Sequence, residues 1–107
     1  MTTVGPSSDA ASQDALHAAT ELLRALASPV RLGIVRELAD GGHEVHELVT
    51  ALGVSQPLVS QHLRVLRTSR IVVGHRRARA VEYSLTDDHI AHIVLDALRH
   101  VQEGHTH

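Results

Sequence analysis

Two groups of side chains in this 107-residue chain have the types and spacing to do chemistry. The first is histidine. There are ten, and His92, His100, His105 and His107 fall within the last sixteen residues, with His89 just ahead of them. Imidazole binds divalent metals and titrates near neutral pH, and this irregular spacing is unlike the consecutive run of an expression tag. The chain has no cysteine, which excludes disulfides, thiolate metal sites, cysteine nucleophiles and thiol redox sensing. The second group is arginine. Residues 48–81 hold Arg64, Arg67, Arg70, Arg76, Arg77 and Arg79 without one carboxylate, a local charge of +6, whereas residues 1–47 and 82–107 each carry −4. An acid-free basic stretch in an otherwise acidic chain is the footprint of a polyanion, here nucleic acid. The formal net charge of −2 conceals it.

One small domain must position these residues, because the length allows no more. Its core is thin enough for oligomerisation to help it. No apolar run approaches the ~18 residues of a membrane span and no signal-peptide pattern is present, which predicts a soluble cytoplasmic protein with no membrane partner. Residues 1–12 are small and polar and are expected to form a disordered arm. From about Gln13, the spacing of Leu16, Ala19, Leu22, Leu23 and Leu26 predicts a helix that ends at Ala27-Ser28-Pro29. Ser28 as N-cap and Pro29 at the first helical position open a second helix through about Ala39, burying Val30, Ile34, Val35 and Leu38. Asp40-Gly41-Gly42 stops it.

A short helix over 45–52, a turn at Gly53-Val54, and a fourth helix capped by Ser55 and running to Arg67 or Thr68 form a helix-turn-helix pattern. Val54, Leu58, Val59, Leu63 and Leu66 are expected to face inward. Ser55, Gln56, Ser60, Gln61, Arg64 and Arg67 face outward, a small, amide-bearing and basic surface suited to base edges and phosphates in a major groove. His62 in the same basic stretch is counted with the DNA-facing residues. Strands over 71–74 and 80–85, joined by 75–79, make a hairpin (the wing, about 71–85). Its Arg76, Arg77 and Arg79 are placed to touch the DNA backbone or minor groove. Thr86 is expected to cap a last helix over about 87–103, with Asp87 and Asp88 in its first turn. Residues 105–107 are a histidine-containing tail. The fold class is mainly α with a β-hairpin wing (α+β), a winged helix-turn-helix.

Over roughly residues 13–104 the chain resembles the ArsR/SmtB family of metal-responsive transcriptional repressors. The segments that carry the likeness are LLRALASPVRLGIVREL, VHELVTALGVSQPLVSQHLRVLRTSRIV and HRRARAVEYSLTDDHIAHIV. Within the family it is most similar to the zinc-sensing SmtB-type repressors of actinobacteria. One departure is the wing tip, where relatives often have glycine near the position of Ala78.

The resemblance implies a sensory metal site on the last helix: an Asp-x-His pair, a second His eleven residues after the first, and Glu or His three further on. Asp87, His89, His100 and Glu103 occupy those positions. On a helix, eleven residues come to about three full turns, so His89 and His100 share a face, yet they lie about 16 Å apart along the axis. Zinc–ligand bonds are near 2 Å. One chain therefore cannot close such a site, and two antiparallel copies can. Each of two equivalent sites in a two-fold homodimer would take Asp87 and His89 from one subunit and His100 and Glu103 from the other. Two imidazoles and two carboxylates in a tetrahedron favour Zn(II), with Co(II) the competitor. Participation of His105 and His107 would raise the coordination number and suit Ni(II) or Co(II). His92 is read as a dimer-surface residue. A second sensory site of the family uses cysteine, and the corresponding HEVHELV stretch here has none, leaving His43, His46 and Glu47 as weak alternatives.

The expected mechanism is an apo dimer on an inverted-repeat DNA operator that releases it when metal binds, relieving repression of metal-homeostasis genes. The resemblance adds a relay from His100 to the chain near Arg70. Rival readings are a metal-independent winged-helix DNA-binding protein and a zinc enzyme. A four-ligand site leaves no open position for substrate water, so neither catalysis nor a small-molecule substrate is expected.

Overall fold

The computed structural model describes residues 6–104, with side chains from residue 10 onward. The expectations for residues 1–5 and for the tail 105–107 lie outside the described residues. Five helices and three strands follow in order: α1 Pro6–Leu26, α2 Pro29–Leu38, β1 His43–Glu44, α3 Val45–Leu52, α4 Gln56–Thr68, β2 Val72–Arg77, β3 Ala80–Leu85 and α5 Asp88–Gln102. The first helix starts at Pro6 rather than near Gln13, so residues 6–12 belong to it and not to a disordered arm. Proline is well suited to a first helical turn, and the alanines that follow favour helix without supplying an apolar stripe.

The start of α2 follows from Ser28, whose side chain accepts the Arg31 backbone N–H ahead of Pro29. Gly33 is buried on this helix, and a Cβ there would lie 2.8 Å from Leu52 Cδ2, so a larger residue would require the Leu52 side chain on α3 to shift. Glu44 and Glu47 form a reciprocal capping box at the start of α3, and Gly53 ends it in the left-handed region at φ 68°. Ser55 caps α4 by accepting the Leu58 N–H.

The core sits between these helices and the sheet. Ile34, Val35 and Leu38 of α2, Leu48 of α3, Val59, Leu63 and Leu66 of α4, Ile71, Val72, and Ile90 and Val94 of α5 are buried together. Val54 and Leu58, expected inside, are only partly buried. The sheet order is β1-β3-β2, with β2 paired antiparallel to β3 from Val72↔Leu85 to Arg77↔Ala80. The wing strand is therefore longer than expected. His75, Arg76 and Arg77 lie in β2, and the turn contains Ala78 and Arg79 alone. Ala78 takes φ 53°, the position of a two-residue hairpin turn that favours glycine. Strand β1, not anticipated, pairs His43 with Tyr83.

Apolar side chains remain outside on the terminal helices: Leu16 and Leu23 of α1 are 59% and 54% exposed, and Val101 of α5 is 52% exposed.

Candidate DNA interface and metal centre

The α3-turn-α4 unit holds α4 by its buried Val59, Leu63 and Leu66, which leaves its other face in solvent. Ser55, Gln56, Ser60, Gln61, Arg64 and Arg67 are all exposed, as are Arg70, Arg76, Arg77 and Arg79. Ser55 Oγ already serves as the helix cap. The arginines of this surface differ from those elsewhere. Arg24 pairs with Glu21 and Arg99 with Asp96 on their own helices. Among the described residues, Arg64, Arg67, Arg70, Arg76 and Arg79 meet no carboxylate, and Arg77 meets Glu82 across the hairpin at 3.4 Å. Strand alternation splits the wing: Arg76 joins Arg67 and Arg70 around an open groove floored by Val72, Gly74 and Val81, while Arg77 lies on the other face. Unneutralised guanidinium groups on a helix and an adjacent wing form a surface for phosphates.

His62 is placed differently from its neighbours. It is half-buried, and its Nδ1 lies 3.1 Å from the guanidinium of Arg31 on α2. Arg31 Nε in turn donates to the Ala25 carbonyl near the end of α1 at 2.7 Å. The imidazole thus bonds α4 to α2, and only its Nε2 edge is left for an outside partner. Arg31 was not singled out from the sequence, since nothing distinguishes it there from Arg24 or Arg36.

Burial pushes the His62 pKa down, and the charge of Arg31 adds to it. The unfolded chain then takes up a proton more readily than the folded one, so stability is present above the ordinary histidine value near 6.5 and is lost as pH falls below it. Thermal unfolding at pH 7.5 and 5.5 should show a smaller loss on acidification in His62→Asn than in the wild type. Equal losses would show that this ring does not carry the effect.

Asp87 and His89 stand at the N-terminal end of α5. The cap is Asp87, not Thr86: Asp87 Oδ1 accepts the Ile90 N–H at 3.2 Å, and the helix starts at Asp88. His89 Nδ1 lies 3.7 Å from Asp87 Oδ1, and the imidazole is 88% exposed. The Thr86 hydroxyl instead donates to the Arg70 carbonyl at 2.9 Å. His100 lies in the last turn of α5 and Glu103 is its C-cap residue, both exposed. His92 is exposed between the two pairs. Among the described residues of the single chain, no three His, Asp or Glu side chains come together as a metal-binding group.

The HEVHELV stretch is engaged locally. His46 Nε2 contacts Glu44 Oε1 at 3.0 Å and His43 Nδ1 lies 3.6 Å from Glu47 Oε1. The Glu47 carboxyl is held below its ordinary pKa mainly by the Glu44 N–H it accepts, with His43 and His46 contributing. Glu44 and Glu47 are occupied in starting α3, whereas the buried His43 Nδ1 makes no hydrogen bond among the described residues.

A helix-turn-helix with a basic outer face, followed by an arginine-edged hairpin, defines a winged-helix DNA-binding regulator. The chain belongs to the arsR family of bacterial regulatory proteins, whose description matches residues 28–73. It is 56% identical over 91 residues to the HTH-type transcriptional repressor SmtB of Mycobacterium tuberculosis, covering 85% of this chain and 67% of that one. It is 42% identical over 100 residues to the HTH-type transcriptional regulator NmtR of the same organism, covering 94% and 82%. Among solved structures, the transcriptional repressor BigR from Xylella fastidiosa superposes with a TM-score of 0.76 at 35% identity, covering 87% of this chain and 94% of that one. These relatives are transcriptional regulators and not enzymes. No helix among the described residues is long and apolar enough to cross a membrane.

Proposed function

We propose that the chain is a cytoplasmic, metal-responsive transcriptional repressor. Its apo homodimer holds an inverted-repeat operator, and Zn(II) taken up between the α5 helices releases it. The observation that carries this reading is the division of donors along α5. Asp87 and His89 stand exposed and 3.7 Å apart at one end, with His100 and Glu103 exposed at the other. Two imidazoles and two carboxylates suit Zn(II), and Co(II) and Ni(II) are the competing ions. A bound ion would supply a cross-link between two chains. The exposed Leu16, Leu23 and Val101 support an interface through α1 and α5, and the repressor SmtB of M. tuberculosis supports repression as the output.

On DNA, Gln56, Ser60, Gln61 and Arg64 of α4 would read base edges, while Arg67, Arg76 and Arg79 would hold phosphates. Ser55, Arg77 and His62 are secondary, being engaged by the α4 cap, Glu82 and Arg31 respectively. Two α4 helices entering successive major grooves must sit about 34 Å apart. A change in that spacing or its freedom couples metal to DNA by on the order of a few kcal/mol. Titrating Zn, Co, Ni and Cd into the operator complex tests the reading. Release by zinc at the lowest concentration is expected. Preferential release by Ni or Co would reassign the metal, and indifference to all four would leave a metal-independent DNA-binding protein.

A further inference from the structure

Thr86 is where the reading helix and the sensory helix meet within one chain. Its hydroxyl donates to the Arg70 carbonyl at 2.9 Å and lies 3.3 Å from the Ile71 carbonyl, while its backbone N–H donates to Ile71 O at 3.1 Å. Arg70 ends α4 in the left-handed region at φ 61°, a conformation that arginine adopts only where surrounding bonds hold it. Those bonds are Arg70 N–H to Arg67 O at 3.0 Å and Ile71 N–H to Leu66 O at 2.8 Å. On the other side of Thr86, the next residue is Asp87, which caps α5 and stands beside His89. One peptide unit thus separates a clamp on α4 from the carboxylate assigned to the metal. The hydroxyl is not needed to cap α5, which Asp87 does, and Thr86 is exposed, so core packing does not account for it either.

We propose that Thr86 is a positioning residue that ties the N-terminal end of α5 to the C-terminal end of α4, so that binding at Asp87 and His89 acts on the reading helix of the same chain. The regulatory part of this inference rests on the reading of Asp87 and His89 as ligands. The His100 link expected from the family likeness would reach the chain near the same residue, Arg70. A carbonyl oxygen has two lone pairs, and Thr86 already uses one.

The test begins in metal-free protein, with hydrogen exchange at the Ser69, Arg70 and Ile71 amides. Removing the cap by Asp87→Ala should speed their exchange by about three- to tenfold. In a Thr86→Val background the same substitution should add less than about twofold, and Thr86→Ser should preserve the wild-type response. An equal response with and without the hydroxyl would overturn the proposal. The second arm is the ratio of operator affinities without and with Zn(II). Thr86→Val should shrink it about three- to tenfold and Thr86→Ser should restore it. A full wild-type ratio in Thr86→Val would also overturn the proposal. A wild type that ignores every metal would instead overturn the proposed function, and the exchange measurements would still decide whether Thr86 links the two helices.

Discussion

Mixing His89→Ala chains with His100→Ala chains is expected to restore tight metal binding that neither variant has alone. The reason lies in the length of α5, Asp88–Gln102. The two donor pairs at its ends are about 16 Å apart along the axis, while a zinc ion reaches its ligands at about 2 Å. Each proposed site must then draw on two chains. A His89→Ala homodimer damages both of its sites, and so does a His100→Ala homodimer. After subunit exchange, the mixed dimer has one site with all four donors and another that has lost two. Loss of a ligating imidazole should weaken binding by on the order of a hundredfold or more, since even outer-shell partners of a ligand are worth 10–100-fold. Zinc titration should therefore show weak binding for each variant and recovery of tight binding in about half the dimers of the mixture. Mixed dimers verified by mass spectrometry that bind no better than either parent would sink the shared-site arrangement.

Leu66→Ala should be the most damaging single change to the reading head. Leu66 is fully buried at the base of α4, packed in one cluster with Ile34, Leu48, Val59, Leu63 and Ile71. Its carbonyl also accepts the Ile71 N–H that closes the end of the helix. Truncating a leucine in such a site costs about 2–5 kcal/mol, through lost transfer free energy and the cavity left behind. A small domain has only about 5–15 kcal/mol in total. Urea unfolding at fixed protein concentration should show a lower midpoint with an unchanged slope. Operator affinity should fall with it, because α4 presents Gln61 and Arg64 only while its inner face stays seated. A loss below about 1 kcal/mol would mean that the cluster closes around the alanine and that Leu66 does not seat the helix.

The helices that carry local punctuation were legible before the structure. Ser28-Pro29 and Ser55 mark the starts of α2 and α4, and Gly53 marks the end of α3, because capping and left-handed backbone are written in single residue types. What escaped depends on partners distant in sequence. Strand β1 is two residues long and exists only through its register with Glu82 and Tyr83. The wing runs on through His75, Arg76 and Arg77, whose polarity resembles a loop, because the facing Ala80-Val81-Glu82 continues the ladder. Thr86 and Asp87 are both good caps, and the choice fell to Asp87 because the Arg70 carbonyl, sixteen residues back, takes the threonine hydroxyl. His62 could not be told from an outward-facing residue, since Arg31 lies thirty-one positions away. The donor spacing on α5 was visible in the sequence. That spacing also called for a second chain, and in the single chain the described residues gather no three metal-binding side chains.

The sheet order β1-β3-β2 leaves β2 as an outer strand, with one side of its backbone facing no other strand among the described residues. Such an edge is a template for strands of other molecules, and charged side chains along it are a common defence. Arg76 and Arg77 lie along that edge, where their charges oppose pairing with a strand of another copy. Replacing both with alanine would leave Val72-Val73-Gly74-His75 followed by two alanines along an unguarded edge. Its failure to bind an operator would then mix lost phosphate contacts with self-association. The same two side chains thus bear on how the wing meets other copies as well as on how it meets DNA.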